Sequence, residues 1–295
     1  MSTTISSSPD SAIRNQSMHP KRRFGQNFLT GTHFPGRIVR AVGPVAGETI
    51  LEIGPGHGAL TGMLLEAGAN VIAIELDNEL VPMLNQKYGG HPRFRLVAAD
   101  ALRMDFAALL GAGASARVVA NLPYNVATPI LQRLLEHHHC LPELTLMFQR
   151  EVAERIIAAP GGKEYGYLSV LCQYHAEAEC LFEVPPGAFR PAPKIVSTVV
   201  RLRVRATREV MVADEAWFFT VVSVAFIHRR KTLLNNLRAA GARLGIVDGA
   251  VIPETLTNAG IDPMRRAETL TIRELAQVAA SLRAIAGQPD HVPLY

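Results

Sequence analysis

The fold is decided by "ETILEIGPGHGALTGMLLEAG", residues 48–68. The first part, "ETILEIG", reads as a short buried strand, and "GALTGMLLEAG" reads as an amphipathic helix closed by Gly68. Between them Gly54, Gly56 and Gly58 let the backbone turn tightly and come close to a ligand. A glycine loop between a strand and a helix offers the helix N-terminus to a nucleotide-bearing molecule. The loop alone does not choose that molecule, because Gly54, Gly56 and Ala59 also satisfy the dinucleotide fingerprint G-x-G-x-x-A.

The same pattern repeats outward from this unit. "NVIAIEL" (70–76), "FRLVAAD" (94–100), "RVVAN" (117–121) and "LTLMFQ" (144–149) are further strands, spaced by helical segments. Continuous apolar strands alternating with helices indicate a parallel sheet covered on both faces. In "DNELVPMLNQKYG" Pro82 requires either a late helix start or a kink. "CLFEVP" (180–185) and "STVVRLRVRA" (197–206) are two more strands around a Pro-rich connection, the second with a period of two. Beyond about residue 206 the pattern is helical only. The last long helix opens with a capping box, Thr271 to Glu274, and carries the stripe Leu275, Val278, Leu282, Ile285. The expected organisation is an N-terminal tail over 1–20, mobile and Ser/Thr-rich, then an α/β domain over 21–205 and a small all-α domain over 206–295.

Ligands of open parallel sheets sit beyond the strand C-termini. Glu75 stands at the second strand tip, where a carboxylate takes ribose hydroxyls; Asp100 ends the third strand, and Asn121 ends the fourth. A single Asp or Asn there is ordinarily a helix cap. Four strand ends converging at Gly54, Glu75, Asp100 and Asn121 define a crevice. Asn121 opens "NLPY", in which Pro123 ends the strand by lacking an N–H and Tyr124 follows as a large ring.

The chain has 295 residues, 48% hydrophobic and 19% charged, enough for a sizeable core. No apolar run reaches the length of a membrane span, and the first twenty residues lack the apolar segment of a secretory signal. Cys140, Cys172 and Cys180 form no C-x-x-C pair, so reduced thiols in a cytoplasmic protein are expected. The net charge is +4. The cations cluster at Lys21–Arg23, at Arg201, Arg203 and Arg205, at His228–Lys231 and at Arg265–Arg266, and such clusters suit a polyanion. "HHH" at 137–139 reads as a solvated helix end, because consecutive helical residues point about 100° apart, and no metal is expected.

Six runs, in order, resemble the ribosomal RNA adenine N6,N6-dimethyltransferase family of class I S-adenosylmethionine-dependent methyltransferases. They are "FGQNFL" (24–29), "EIGPGHGALT" (52–61), "NLPY" (121–124), "FRPAPKIVST" (189–198), "FIHRRKTLLNNL" (226–237) and "GIDPMRRAETL" (260–270). The last two favour the small-subunit, kasugamycin-sensitivity branch over the large-subunit, erythromycin-resistance branch. His57, His228 and the N-terminal tail depart from the family pattern.

The resemblance implies a Rossmann-like, mostly parallel seven-stranded sheet with a helical RNA-binding domain. It implies S-adenosylmethionine as cofactor, bordered by Asn27, Leu29, Gly54, Gly56 and Asn121. Glu75 would hold the ribose and Asp100 the adenine amine. The implied reaction is dimethylation of two adjacent adenosines in a hairpin loop of small-subunit rRNA, on the RNA or on a partly assembled subunit, by a monomer. Asn121 and the Leu122 carbonyl, directed by Pro123, would grip the target amine, while Tyr124 and Phe189 sandwich the base. Arg229, Arg230, Lys231, Arg265 and Arg266 would contact phosphates. Two other readings remain: a non-catalytic RNA- or transcription-associated relative, and a nicotinamide-dependent oxidoreductase that explains the glycine loop but not "NLPY".

Overall fold

The computed structural model describes residues 27–287, so the tail over 1–20 and the Lys21–Arg23 cluster lie outside it. Among the described residues nine strands form: β1 (Phe28–Leu29), β2 (Thr49–Ile53), β3 (Asn70–Glu75), β4 (Phe94–Ala98), β5 (Arg117–Asn121), β6 (Glu143–Gln149), β7 (Ala176–Val184), β8 (Phe189–Arg190) and β9 (Ser197–Val204). The α-helices of the first two hundred residues are α1 (His33–Val42), α2 (Thr61–Glu66), α3 (Leu80–Tyr88), α4 (Phe106–Leu110), α5 (Ala127–Glu136), α6 (Arg150–Ile157) and α7 (Tyr167–His175). Among the described residues after β9, only helices follow: α8 (Glu215–Ala225), α9 (Leu233–Ala239), α10 (Ile252–Asn258) and α11 (Ile272–Arg283), with short 3₁₀ turns between.

Seven strands make one sheet in the order β4-β3-β2-β5-β6-β9-β7. The first five are parallel, while β9 runs antiparallel to both β6 and β7. The chain winds one way from β2 to β4 and the other way from β5, so the switch point lies between β2 and β5, with Ile53 opposite Ala120. The residues that follow these two strand ends are those of the glycine loop and of "NLPY". Adjacent side chains on a strand take opposite faces, and the core divides accordingly. Val118 and Ala120 join a cluster with α5 and the C-terminal helices, whereas Val119 joins one with α1 and α2. The first cluster runs unbroken from Leu51 and Leu146 to Trp217, Leu275 and Val278, so one apolar core spans the sheet and the C-terminal helices.

Pro82 lies in the first turn of α3, which starts late at Leu80. Its missing N–H falls among those that have no intrahelical partner in any helix. The capping box at Thr271 and Glu274 forms, and Leu275, Val278 and Leu282 are fully buried beneath it. α5 ends at Glu136, so His137–His139 occupy a turn rather than a helix end. The helical spacing invoked for them does not apply; His137 and His138 are half-buried and His139 is exposed. Cys140, Cys172 and Cys180 are free, the first two buried.

Candidate active site

Two adjoining cavities occupy the crevice at the switch point. One, of about 670 Å³, is walled by Asn27, Leu29, Gly54, Gly56, Glu75 and the "NLPY" residues Asn121 to Tyr124. The other, of about 850 Å³, is walled by Asp77, Asp100, Leu102 and Val126, and it shares Gly54, Glu75 and Pro123 with the first. Every proposed cofactor residue thus borders the crevice. Glu75 lies where the two cavities meet, and Asp100 is confined to the second.

Gly54, Gly56 and Gly58 all have left-handed φ angles, +64°, +58° and +79°. Gly56 is additionally constrained by space, since a Cβ there would stand 2.9 Å from the Phe28 ring. The outer rim of the loop is held by α3: Lys87 donates to the His57 carbonyl and Tyr88 to the Gly58 carbonyl at 3.0 Å. Beneath it the fully buried Glu52 accepts from the Thr61 hydroxyl at 2.6 Å. Burial pushes the Glu52 carboxyl up to about 7, against the pull of that hydrogen bond.

Glu75 is 6% exposed. Its Oε1 accepts from the Asp77 N–H at 2.8 Å, and its Oε2 from the Gly56 N–H at 3.4 Å. Burial raises its pKa, partly offset by those two N–H groups. A carboxylate has about four acceptor positions, so two backbone donors leave capacity for a vicinal diol. The donor set therefore fits the ribose of S-adenosylmethionine. Asp100 does cap a turn, accepting from Leu102 N–H at 3.0 Å through Oδ1. It serves as a local cap while also walling the second cavity.

At the end of β5 the Asn121 amide nitrogen donates to the Asn27 carbonyl at 3.0 Å. A carbonyl oxygen only accepts, so this bond fixes which end of the amide is which and leaves Oδ1 as the acceptor. Leu122 is buried by its side chain, and the Pro123 carbonyl accepts from Val126 N–H, closing the loop into α5. The Tyr124 hydroxyl meets the Ser197 hydroxyl at 2.7 Å. Ser197 has no exposed surface, and burial raises the Tyr124 pKa, so the phenol stays protonated at neutral pH. Ser197 was not singled out from the sequence. Its signal was present, as the first residue of β9 within "FRPAPKIVST".

Three expectations need correction. Phe189 has no exposed surface and walls neither cavity. Its backbone pairs with Leu29 in the β1–β8 ribbon, and its side chain belongs to the buried cluster that also holds Leu29, Val119, Met147 and Val199. In this conformation it is a core residue rather than a stacking face. Arg265 is a structural cation: it binds Glu274 at 2.5 Å and also donates to the Thr269 hydroxyl and carbonyl. Arg201, Arg203 and Arg205 do not form a free basic stripe, because they pair with Glu143, Glu177 and Glu179 on the flanking strands. Arg229, Arg230, Lys231 and Arg266 are exposed, and Arg229 also donates to the Lys163 carbonyl.

Five parallel strands whose order reverses beside a glycine loop, with an antiparallel strand inserted next to β6, give the chain the fold of the class I S-adenosylmethionine-dependent methyltransferases. Solved structures share the fold: a dimethyladenosine transferase from Plasmodium falciparum (TM-score 0.72, 21% identity, 87% of this chain and 98% of that one). The 23S rRNA methyltransferase ErmE aligns with a TM-score of 0.61 at 24% identity, over 87% of this chain and all of its own. The chain belongs to the ribosomal RNA adenine dimethylase family, whose model matches residues 18–278. It is 44% identical to the ribosomal RNA small subunit methyltransferase A of Moorella thermoacetica, across 92% of this chain and 95% of that protein. The protein of the same name from Pseudomonas aeruginosa is 43% identical, across 90% and 96%.

Proposed function

We propose that the chain dimethylates the N6 amines of two adjacent adenosines in a hairpin loop near the 3′ end of small-subunit rRNA. The observation that carries this reading is the Asn121 amide, anchored on Asn27 at the cavity wall with its oxygen kept as an acceptor. S-adenosylmethionine supplies, when bound, a methyl group already activated on a sulfonium. Asn27 and Leu29 would border its methionine and adenosine parts, Gly54 and Gly56 would pass under the methionine, Asn121 would adjoin it, Glu75 would hold the ribose and Asp100 the adenine.

What remains for the protein is the acceptor, whose amine lone pair is delocalised into the ring. The Asn121 oxygen and the Leu122 carbonyl take the two N–H groups, drawing the nitrogen toward a tetrahedral shape and aiming its lone pair. Pro123 sets the direction of that carbonyl. Tyr124, fixed through Ser197, supports the base by stacking, worth roughly 1–3 kcal/mol. Positioning of this kind accounts for several kcal/mol of barrier, up to about 7–11 in ideal cases. The amine proton goes to water after transfer, so no strong base is required.

An adenine must be unstacked to reach this pocket, which favours a loop over a duplex. Arg229, Arg230, Lys231 and Arg266 suit phosphate contacts from the helices that follow β9. The protein acts as a cytoplasmic monomer on the rRNA or on a partly assembled small subunit, with a role in its biogenesis. The test is methyl transfer from labelled S-adenosylmethionine to undermethylated small subunits, read by mass spectrometry of digested nucleosides. Dimethyladenosine at two adjacent positions is expected; monomethyladenosine alone refutes the reading.

A further inference from the structure

The turn that closes α5 brings together three groups that the methyl-transfer site does not use. His137, His139 and Cys140 present ring nitrogens and a sulfur that all lie within 4.8 Å of one another. The turn itself is firmly held: Cys140 N–H donates to the His137 carbonyl at 3.0 Å, and the Cys140 carbonyl accepts from Ala116 N–H at the start of β5. Cys140 is 4% exposed, and its Sγ points back to the His137 carbonyl at 3.4 Å.

His137 is the anomaly. Both of its ring nitrogens are buried, and neither reaches a hydrogen-bond partner among the described residues. Buried polar side chains nearly always have one. Asp105 Oδ1 stands 4.0 Å from His137 Nδ1, too far for a hydrogen bond but placed as a carboxylate behind a ligating imidazole stands. His138 faces the other way, with its ring 5.4 Å from that of His175.

We infer that His137, His139 and Cys140 form a site for a borderline-soft divalent cation of the zinc class. Two imidazoles and a thiolate suit zinc and disfavour magnesium or calcium, which take oxygen ligands. Donors around a tetrahedral zinc stand roughly 3.3–3.7 Å apart, given bond lengths of about 2.0–2.3 Å. His139 is exposed, so its ring has room to adjust toward the other two donors. Binding replaces the Cys140 S–H bond with an S–metal bond and releases one proton to solvent. His137 ligates through one nitrogen and turns the other toward Asp105. The fourth position is left to water. Ligated, the turn ties the end of α5 to the entrance of β6.

Cobalt(II) titration of the chelator-treated full-length protein tests this. One equivalent is expected to give thiolate-to-cobalt charge-transfer absorption, displaced by zinc. That absorption should vanish in Cys140→Ser and persist in Cys172→Ser and Cys180→Ser. His139→Ala, an exposed position that threatens no core packing, should weaken zinc binding at least tenfold with methyl transfer unchanged. Absence of the thiolate band overturns the assignment. So does equal uptake by a Cys140→Ser/His139→Ala double variant, which would mark adventitious binding elsewhere.

Discussion

Tyr124 and Ser197 permit a double-mutant cycle in which each arm has a different expected cost. The two hydroxyls are 2.7 Å apart, and Ser197 is fully buried while Tyr124 is only partly buried. Tyr124→Phe strands the serine hydroxyl away from water, a loss of about 1–3 kcal/mol in stability. Ser197→Ala leaves a phenol that water reaches, so about 0.5–1.5 kcal/mol is expected. The double variant removes both partners and should be no less stable than Tyr124→Phe, giving a coupling energy near 1 kcal/mol. Catalysis should follow the same logic. Freeing an immobilised side chain costs about 0.5–1.5 kcal/mol, which corresponds to transfer about 2–10-fold slower at 1.36 kcal/mol per decade. Urea denaturation measures the first quantity, and single-turnover methyl transfer to undermethylated small subunits measures the second. S-adenosylmethionine affinity should stay within about twofold. A coupling below about 0.3 kcal/mol, together with unchanged single-turnover rates in both single variants, would refute the claim that Ser197 positions the Tyr124 ring.

Glu75→Gln should weaken S-adenosylmethionine binding by about 1.5–3 kcal/mol, measured by calorimetry. Because burial raises the Glu75 pKa, binding to the parent protein should also weaken with falling pH at values above the ordinary carboxylate range, a dependence absent in the variant. Arg230→Ala and Arg266→Ala should each weaken RNA binding and reduce the salt slope by about 0.7, as read by filter binding across a salt series. Arg265→Ala should instead destabilise the fold by about 1–2 kcal/mol, allowing for solvent screening of the Glu274 pair. The Glu274 carboxyl is held down at about 2, so that contribution is present above pH 4.5 and is lost as pH falls toward 2. Burial holds His175 at about 3, so its unfolded form takes up a proton first and stability falls below pH 6.5, by about 2 kcal/mol at pH 5. Glu52, raised to about 7, contributes in the opposite sense between pH 4.5 and 7, so thermal denaturation of His175→Phe should isolate the histidine term.

The parts legible from sequence are those with a period or a fixed offset. The five parallel strands were readable because burial on both faces makes each a continuous apolar run, and the crevice followed because strand ends in such sheets converge. Glu75 and Asn121 were found from that rule alone. β1 and β8 were not readable, since two-residue strands carry no periodicity and pair across 160 residues. Phe189 could not be assigned a face, because one aromatic between prolines looks the same over a cavity as in a core. Arg265 looked like a free cation because its partner, Glu274, belongs to the cap of the next helix. The three histidines depended on a helix ending at Glu136, and helix ends are the least determined feature of a sequence.

The position of β9 has a consequence for the order of assembly. The strand is inserted between β6 and β7 although it leaves the ribosome after both, and its first residue is the anchor of Tyr124. A nascent chain that has just completed β6 already contains the glycine loop, Glu75 and Asn121, but it lacks the Ser197 hydroxyl that the Tyr124 hydroxyl meets. The ring gains its support only once the chain has been synthesised through Val204 and the returning strand has slotted into its gap. Truncation before residue 197 would leave the glycine loop, Glu75 and Asn121 in the chain while removing the hydroxyl that Tyr124 meets.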